Sequence, residues 1–200
     1  MITLAIETSS HQGSVALLRD GEVLFNEICG TGRSHSSLLF GTLERALSLG
    51  KPDRIVVGLG PGSYAGVRIA LSAATGLALA TGAELVGGCS SAALADGEYA
   101  VVGDARRGGF SFTRVRDGEC AEGPLLVSPM ELAERVTACG LPVYTSETVP
   151  AAAEVRYPEA VRLARLPAWE AHGELEPIYL REPHITTPRS SPPRYEAPAS

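Results

Sequence analysis

The sequence lacks the cysteine patterns that mark zinc sites and redox motifs. It contains four cysteines in 200 residues, and no two of them are spaced as a Cys-x-x-Cys pair. The simplest interpretation is a set of reduced thiols, mostly buried, in a cytosolic protein. They lie at Cys29, Cys89, Cys120 and Cys139.

Positive charge is also scarce. The chain has 17 Lys and Arg residues against 23 Asp and Glu residues, which gives a formal net charge of -6 at pH 7. Proteins that bind nucleic acid by themselves usually carry a basic excess, because neutralising phosphates supplies most of the affinity. Direct binding of nucleic acid by this chain alone is therefore not predicted.

Long apolar runs are absent as well. The chain opens with a short strand pattern at Ile2 to Ile6, not with a basic region followed by an apolar stretch. No run of about 18 apolar residues follows, as a membrane-spanning helix would need. We therefore expect neither a signal peptide nor a membrane span, and we expect a cytoplasmic location.

The histidines do not form a helical metal motif. His35 opens a predicted helix, but Leu38 and Leu39 occupy the positions three and four residues later, where a second ligand would stand. The other three histidines are scattered along the chain. No metal ion is predicted.

A glycine-rich segment, residues 60–66, follows a predicted strand and opens a helix, as anion sites do. It does not match a phosphate-binding loop, because Val67-Arg68 stands where that loop has lysine followed by serine or threonine. No nucleotide cofactor is predicted. A tight turn, an anion site and a partner-facing loop remain open as interpretations of the segment.

What the sequence does contain is an α/β pattern of 44% hydrophobic and 20% charged residues. Apolar runs flank two Asp-Gly pairs, which predict type I′ hairpins. Helices are predicted from leucine spacing and from a capping box with proline at its first helical position. Strands are predicted at 2–6, 14–19, 22–28, 55–59, 99–103, 109–116, 123–127 and 142–145, and helices at 35–47, 64–81, 90–95, 129–139 and 149–156.

The second half of the chain repeats the first. A shift of 97 residues places Glu7 on Asp104 and the run 19–22 on the identical run 116–119. Each unit is a β-β-β-α-β-α pattern, which is the layout of the actin and sugar-kinase fold, also called ribonuclease-H-like. We predict two lobes, residues 1–97 and 98–182, followed by a proline-rich disordered tail at 183–200.

The second predicted helix carries a stripe of small residues with an i, i+4 spacing: Gly66, Ala70, Ala74 and Ala78. Two interpretations remain open. The stripe packs onto the protein's own sheet, or it forms an interface with another subunit. We predict the second, so that a bulky charged residue at Ala70 or Ala74 would block association and leave the monomer folded.

Catalysis by this chain alone is not predicted. Glu7 and Asp104 end equivalent strands, where actin-like ATPases have an acidic residue followed closely by glycine. Side chains crowd both following hairpins where bare backbone would be needed to wrap phosphate. No histidine base accompanies Ser9 or Ser10 as a nucleophile.

These residues together resemble the TsaB family. The motifs that carry the resemblance are Ile6-Glu7-Thr8-Ser9, His35-Ser36, the segment from Gly60 to Ile69, and Pro177-Ile178-Tyr179-Leu180-Arg181. The resemblance covers about residues 1 to 182, and Gly60 to Ile69 is its most specific part. The family usually has Phe-Thr at Tyr64-Ala65 and an acidic or amide residue at Ser37.

The resemblance implies an actin-like fold and a role in making threonylcarbamoyladenosine in tRNA. Members of the family are non-catalytic scaffold subunits that form homodimers and bind the catalytic subunit TsaD, and TsaE joins that assembly. They reach tRNA only indirectly. Carried over to this sequence, the dimer and TsaD interface would comprise His35, Leu38, Leu39, Thr42, Leu43, Ser63, Tyr64, Gly66, Val67, Ala70 and Ala74.

Two alternatives from other classes remain. The first is a small actin-like enzyme that binds ATP, and the second is a metallopeptidase of the glycoprotease-like kind. Tight ATP binding by the isolated protein would favour the first, and a bound metal would favour the second.

Overall fold

The first half of the chain folds into a mixed five-stranded sheet. We describe residues 1–31, 35–169 and 175–181 of a computed structural model. The strands lie in the order β3-β2-β1-β4-β5, with the first three antiparallel and the last two parallel to β1. The elements are β1 (Ile2–Glu7), β2 (Gln12–Arg19), β3 (Glu22–Thr31), α1 (His35–Leu47), β4 (Arg54–Gly58), α2 (Tyr64–Thr81) and β5 (Glu84–Gly88).

The second half builds a second five-stranded sheet with the same topology, β8-β7-β6-β9-β10. The predicted duplication is confirmed by this shared strand order. A 3-10 helix, Ser90–Ala93, connects the two sheets. The elements that follow are β6 (Glu98–Asp104), β7 (Phe110–Arg116), β8 (Glu119–Val127), α3 (Pro129–Cys139), β9 (Val143–Thr145), β10 (Glu154–Val155) and α4 (Ala160–Leu163).

Local sequence signals account for several boundaries. Asp20-Gly21 and Asp117-Gly118 all have positive φ, as type I′ hairpin turns require. The capping box at Ser128 and Glu131 is present, with both reciprocal hydrogen bonds.

One predicted helix is wrong and one strand was missed. Residues 149–156 form no helix; instead Glu154 and Val155 pair in parallel with β9. The stretch between Pro150 and Pro158 is too short to pay the nucleation cost of a helix, whereas the strand pairing satisfies its backbone. The missed strand is β5, where two of five residues are glycine.

Three buried clusters hold the chain together. One lies between the first sheet and helices α1 and α2, and includes Leu4 and Ile6. The second lies between the two sheets, with Ala5 of the same strand and Leu163 of α4. The third lies between α3 and the second sheet. Alternate residues of β1 therefore serve two different cores, because successive side chains of a strand point to opposite faces.

The predicted tail, residues 183–200, lies outside the described residues, as do Ser34, His172 and His184. The division into lobes at residue 97 stays a prediction. The short helix α4, which follows the second sheet, packs against β1, β2 and β4 of the first.

Candidate partner interface

The start of α2 is fixed by close contacts with the turn between β1 and β2. Ser63 caps the helix, since its hydroxyl accepts a hydrogen bond from the Gly66 N–H at 3.2 Å. The Thr8 hydroxyl donates to the Gly66 carbonyl at 2.8 Å. A Cβ at Gly66 would stand 2.0 Å from the Thr8 carbonyl oxygen, so only glycine fits there. The glycine-rich segment thus sets the position of α2 on the chain's own sheet.

The stripe of small residues faces inward. Ala70 and Ala74 are 0% exposed and belong to the cluster beneath α1 and α2. Gly66 and Val67 are buried on the same side of the helix. The prediction that this stripe is an intermolecular surface is therefore wrong for these side chains, because small residues here let the helix approach its own sheet.

The inward face of α1 is closed in the same way. Leu39 and Leu43 are buried in the cluster beneath the two helices. Thr42 is buried too, with its hydroxyl donating to the Leu38 carbonyl at 2.9 Å. The prediction that Leu39, Thr42 and Leu43 present their side chains to a partner is therefore wrong, because these side chains are buried within the chain. The position of the His35 side chain lies outside what the structure describes.

Beside the buried stripe, the row of Ile69, Ala73 and Leu77 on α2 reaches the surface. It lines an apolar groove of about 540 Å³ between α1 and α2. Phe40 of α1, which is 58% exposed, forms one wall. The lining from α2 comprises Arg68, Ile69, Ser72, Ala73, Gly76 and Leu77. We call these seven residues the helix groove.

An aromatic cluster borders the helix groove at the start of α2. The rings of Tyr64 and Tyr179 stack with centroids 5.2 Å apart. The Arg68 guanidinium lies 4.5 Å from the Tyr64 ring centroid, and its Nε donates to the Tyr179 hydroxyl at 3.0 Å. Both tyrosines remain about two-fifths exposed. Such rigid amphipathic side chains are the residue types that anchor protein interfaces.

The outer surface of α2 is unusually apolar for a helix in contact with water. Leu79 is 83% exposed, and Leu38 on the neighbouring α1 is 48% exposed. By length and mean hydropathy alone, α2 would suffice to cross a membrane, although only 22% of its residues are buried in the chain. The sequence analysis predicted no spanning helix because no unbroken run of about 18 apolar residues occurs. Helix α2 still reaches a high mean hydropathy, since only Arg68 and small polar residues interrupt its apolar residues.

Glu7, the acidic residue that ends β1, points into the protein interior. Glu7 is fully buried, and its pKa is raised because burial disfavours the charged carboxylate. One carboxyl oxygen accepts a hydrogen bond from the Ser9 N–H at 2.6 Å. The other lies against Gly58 and the Ser90 hydroxyl. This carboxyl group therefore braces the junction of β1, β4 and the 3-10 helix.

Asp104, the equivalent residue of the second sheet, accepts hydrogen bonds from the turn that follows it. The Asp104 carboxylate accepts hydrogen bonds from the Arg106 N–H at 2.7 Å and from the Arg106 guanidinium at 2.8 Å. Arg106 and Arg107 both have positive φ. The Arg106 guanidinium thus lies against the Asp104 carboxylate, where a phosphate cradle would need bare backbone.

The described part of the chain contains no cluster of metal-ligating side chains. No group of three or more His, Cys, Asp or Glu side chains comes close enough there to hold an ion.

Of the eleven predicted interface residues, Leu38, Ser63 and Tyr64 are exposed beside the helix groove. The groove residues themselves were not assigned from the sequence. Phe40 had a usable signal: it is a large apolar residue one step off the buried row of Leu39 and Leu43. Tyr179 stands in one of the motifs that carry the family resemblance, but no local pattern places it beside α2, because it lies 111 residues from Arg68 in the chain.

Comparison with known proteins now bears on this geometry. The family model "TsaD: tRNA N6-adenosine threonylcarbamoyltransferase" matches residues 31–111. The TsaB proteins of Escherichia coli and Bacillus subtilis, described as tRNA threonylcarbamoyladenosine biosynthesis proteins, are each 34% identical over 105 and 119 residues. Those alignments cover 50% and 54% of this chain and 45% and 52% of the two relatives. The chain is therefore similar to TsaB proteins over about half of its length.

The aligned stretch spans about half the length of these two TsaB relatives. An uncharacterized protein of Mycobacterium tuberculosis matches over 90% of the chain and 92% of its own length, at 28% identity.

The fold agrees with a solved structure from Pseudomonas aeruginosa, described as an uncharacterized protein with similarity to peptidase YEAZ. It superposes with a TM-score of 0.72 at 24% identity, over 90% of this chain and 99% of that chain. The predicted actin-like, ribonuclease-H-like fold is confirmed.

Proposed function

We propose that this chain is a non-catalytic partner subunit of the complex that forms threonylcarbamoyladenosine in tRNA, and that it binds the catalytic subunit TsaD. Similarity to the TsaB proteins of E. coli and B. subtilis supports the process, since those relatives carry that biosynthetic name. The observation that carries the partner role is the helix groove with its exposed apolar rim. We place the assembly in the cytoplasm, with TsaE joining through TsaD and tRNA reached indirectly.

The chemistry of the groove favours a helix of another protein as occupant. Ile69, Ala73 and Leu77 follow one another every four residues, and Gly76 leaves room between turns. An approaching helix could therefore place its own apolar side chains between these residues and Phe40. The same surface would serve a second copy of this chain in the absence of TsaD, which gives the proposed homodimer.

The two enzymatic alternatives have less support from the geometry. The Glu7 carboxyl is buried and bonded to Ser9, so it cannot reach the magnesium ion of a bound nucleotide. The metallopeptidase alternative has no cluster of ligands within the described residues.

The decisive experiment uses Gly76→Glu. A Cβ at Gly76 meets nothing within 4 Å, and replacing a glycine inside a helix favours the helix, so the monomer should stay folded. The new carboxylate would project into the helix groove. We expect TsaD binding to weaken by at least roughly thirtyfold, the loss typical of a disrupted interface centre.

The matched control is Met130→Glu, which places the same charge on another exposed hydrophobic residue, 72% exposed, on α3 of the second half. This variant should bind TsaD normally. Threonylcarbamoyl transfer by TsaD should depend on the wild-type chain and fail with Gly76→Glu. Normal binding and activity with Gly76→Glu would remove the groove from the interface, and transfer by TsaD without any added chain would remove the scaffold role.

A further inference from the structure

Among the seven residues of the helix groove, Arg68 alone carries a charge. Its side chain is exposed, and it also lines a neighbouring depression of about 550 Å³ together with Glu176 and Tyr179. The Arg68 guanidinium therefore borders two cavities, and an occupant of the helix groove would come into contact with it.

Two tyrosines hold the Arg68 side chain in place. Its Nε donates to the Tyr179 hydroxyl at 3.0 Å, and its guanidinium lies 4.5 Å from the centroid of the Tyr64 ring, which itself stacks on Tyr179. An arginine has five N–H donors, and this hydrogen bond uses the one on Nε. The donors on Nη1 and Nη2 form no hydrogen bond with the described chain. The end of the side chain is thus held in one position and can donate two parallel hydrogen bonds to a carboxylate.

The chain supplies no carboxylate for this cation within residues 1–31, 35–169 and 175–181. None of the ion pairs among these residues includes Arg68. Glu176 lines the same depression but does not pair with it. In the isolated chain the Arg68 charge is therefore compensated by water and not by a carboxylate of the described residues.

An occupant of the helix groove would remove part of that water. A cation that loses its water without gaining a hydrogen-bond acceptor is strongly disfavoured. A purely apolar helix would therefore bind poorly next to Arg68, whereas a helix with a carboxylate at that point would bind well. The rest of the groove, at Ile69, Ala73 and Leu77, accepts apolar side chains.

We propose that Arg68 selects and orients the occupant of the helix groove by pairing with an Asp or Glu side chain of TsaD. This inference rests on the proposed function, since it takes TsaD as the occupant. Arg68 precedes Leu77 by nine residues, which corresponds to roughly 13 Å along the helix axis. The charge thus marks one end of an otherwise apolar groove, so a helix that carries a single carboxylate beside its apolar face docks in one direction.

The first test measures the binding of the full chain to TsaD at roughly 50 and 300 mM NaCl, because salt screens charge interactions. Arg68→Met keeps a long side chain and a good helix former at an exposed position, so the variant should stay folded. We expect its affinity for TsaD to be about tenfold lower at the low salt concentration. The decrease in affinity with salt that the wild type shows should be largely lost in this variant.

Arg107→Met is the matched control. It removes the same charge from another exposed arginine, which lies in the turn between β6 and β7 of the second half. This variant should bind TsaD with the affinity and the salt dependence of the wild type.

Arg68→Lys allows a direct search for the carboxylate. The wild-type chain contains a single lysine, Lys51, so this variant adds one side-chain amine, at the helix groove. A water-soluble carbodiimide joins an amine to a contacting carboxylate as an amide, and the carbodiimide takes up the water that is lost. We expect a linked peptide between position 68 and an Asp or Glu of TsaD that the wild-type complex does not give.

Failure of this inference is distinguishable from failure of the proposed function. A wild-type chain that does not bind TsaD would overturn both. If the wild type binds and Gly76→Glu does not, unchanged affinity and salt dependence of Arg68→Met would overturn the pairing alone. An equal loss with Arg107→Met, the absence of a new link in Arg68→Lys, or a link from position 68 to Glu176 or to a second copy of this chain would do the same.

Discussion

The two halves of the chain build sheets of the same strand order but cover them differently. The first sheet has α1 and α2 on one face and α4 on the other, so both faces are packed. Among the described elements, the second sheet has only α3 on its outer face, and no helix connects β9 to β10. The extra helix α2 buries four residues and exposes an apolar groove, whereas α3 buries only Leu132 and is otherwise polar.

This difference suggests that the duplicated halves have divided their tasks. The first half carries the proposed partner surface on α2, which has no equivalent between β9 and β10. The second half lends its last helix, α4, to the core between the sheets and serves mainly to support the first.

The largest expected effect comes from replacing one helical alanine in each half with glutamate. Ala70→Glu buries an unpaired charge beneath α2, and we expect a loss of about 3–5 kcal/mol in the free energy of unfolding, or no folded protein. Ala133→Glu lies on the exposed face of α3 and should change the stability by no more than about 0.5 kcal/mol. Urea unfolding followed by circular dichroism measures both. A folded, stable Ala70→Glu protein would restore the original surface assignment of the stripe.

A somewhat smaller loss is expected at the junction of the halves. Leu163→Ala removes a fully buried side chain of α4, which should cost about 2–5 kcal/mol. Because the indole N–H of Trp169 donates to the Leu163 carbonyl at 3.0 Å, Trp169 fluorescence reports on this junction. In the variant and the wild type, fluorescence and circular dichroism should lose their signals at the same urea concentration. Two separate transitions would mean that the halves unfold independently.

A third prediction concerns the pH dependence of stability. Glu7 is buried, whereas Asp104, at the equivalent position of the second half, is paired with Arg106. Since burial raises the pKa of Glu7 above its ordinary 4.5, the folded state keeps a proton that the unfolded state has lost above that pH. The stability contributed by this proton is complete below pH 4.5 and is lost as the pH rises through the folded-state pKa. Glu7→Gln does not titrate, so it should gain stability relative to the wild type as the pH rises. Parallel stability curves from pH 4 to 8 would contradict the assignment.

The smallest effect tests the helix starts. Ser128→Ala breaks the side-chain half of the capping box of α3 and should cost about 1 kcal/mol. Ser63→Ala removes the corresponding cap of α2 and should cost a similar amount. Thermal unfolding followed by far-UV circular dichroism compares the stabilities of the two variants. A loss at Ser63 several times larger than at Ser128 would show that the turn before α2 depends on that one hydroxyl.

Much of the secondary structure could be predicted because its signals are local. The bounds of α1, α2 and α3, the Asp-Gly hairpins and the capping box all depend on neighbours within a few residues. The repeat at an offset of 97 residues then predicted the shared sheet topology.

The face of α2 that meets its own sheet could not be predicted in the same way. Helical spacing places Ala70 and Ala74 on one side and Ile69, Ala73 and Leu77 beside them, but it does not say which row faces inward. That choice depends on how closely Gly66 can approach Thr8, a contact between residues 58 positions apart. Likewise, the pairing of β10 with β9 overrode a segment that looked helical.

The position of α4 has a consequence for the order in which the protein is made. A ribosome releases β1 to β5 well before it has synthesised Ala160 to Leu163, the residues that cover the inner face of that sheet. During this interval the nascent chain displays an uncovered apolar surface that only its own later residues can close, and exposed surfaces of this kind attract chaperones or promote aggregation. A stop codon before α4 would therefore release a product in which this face of the first sheet stays uncovered by α4.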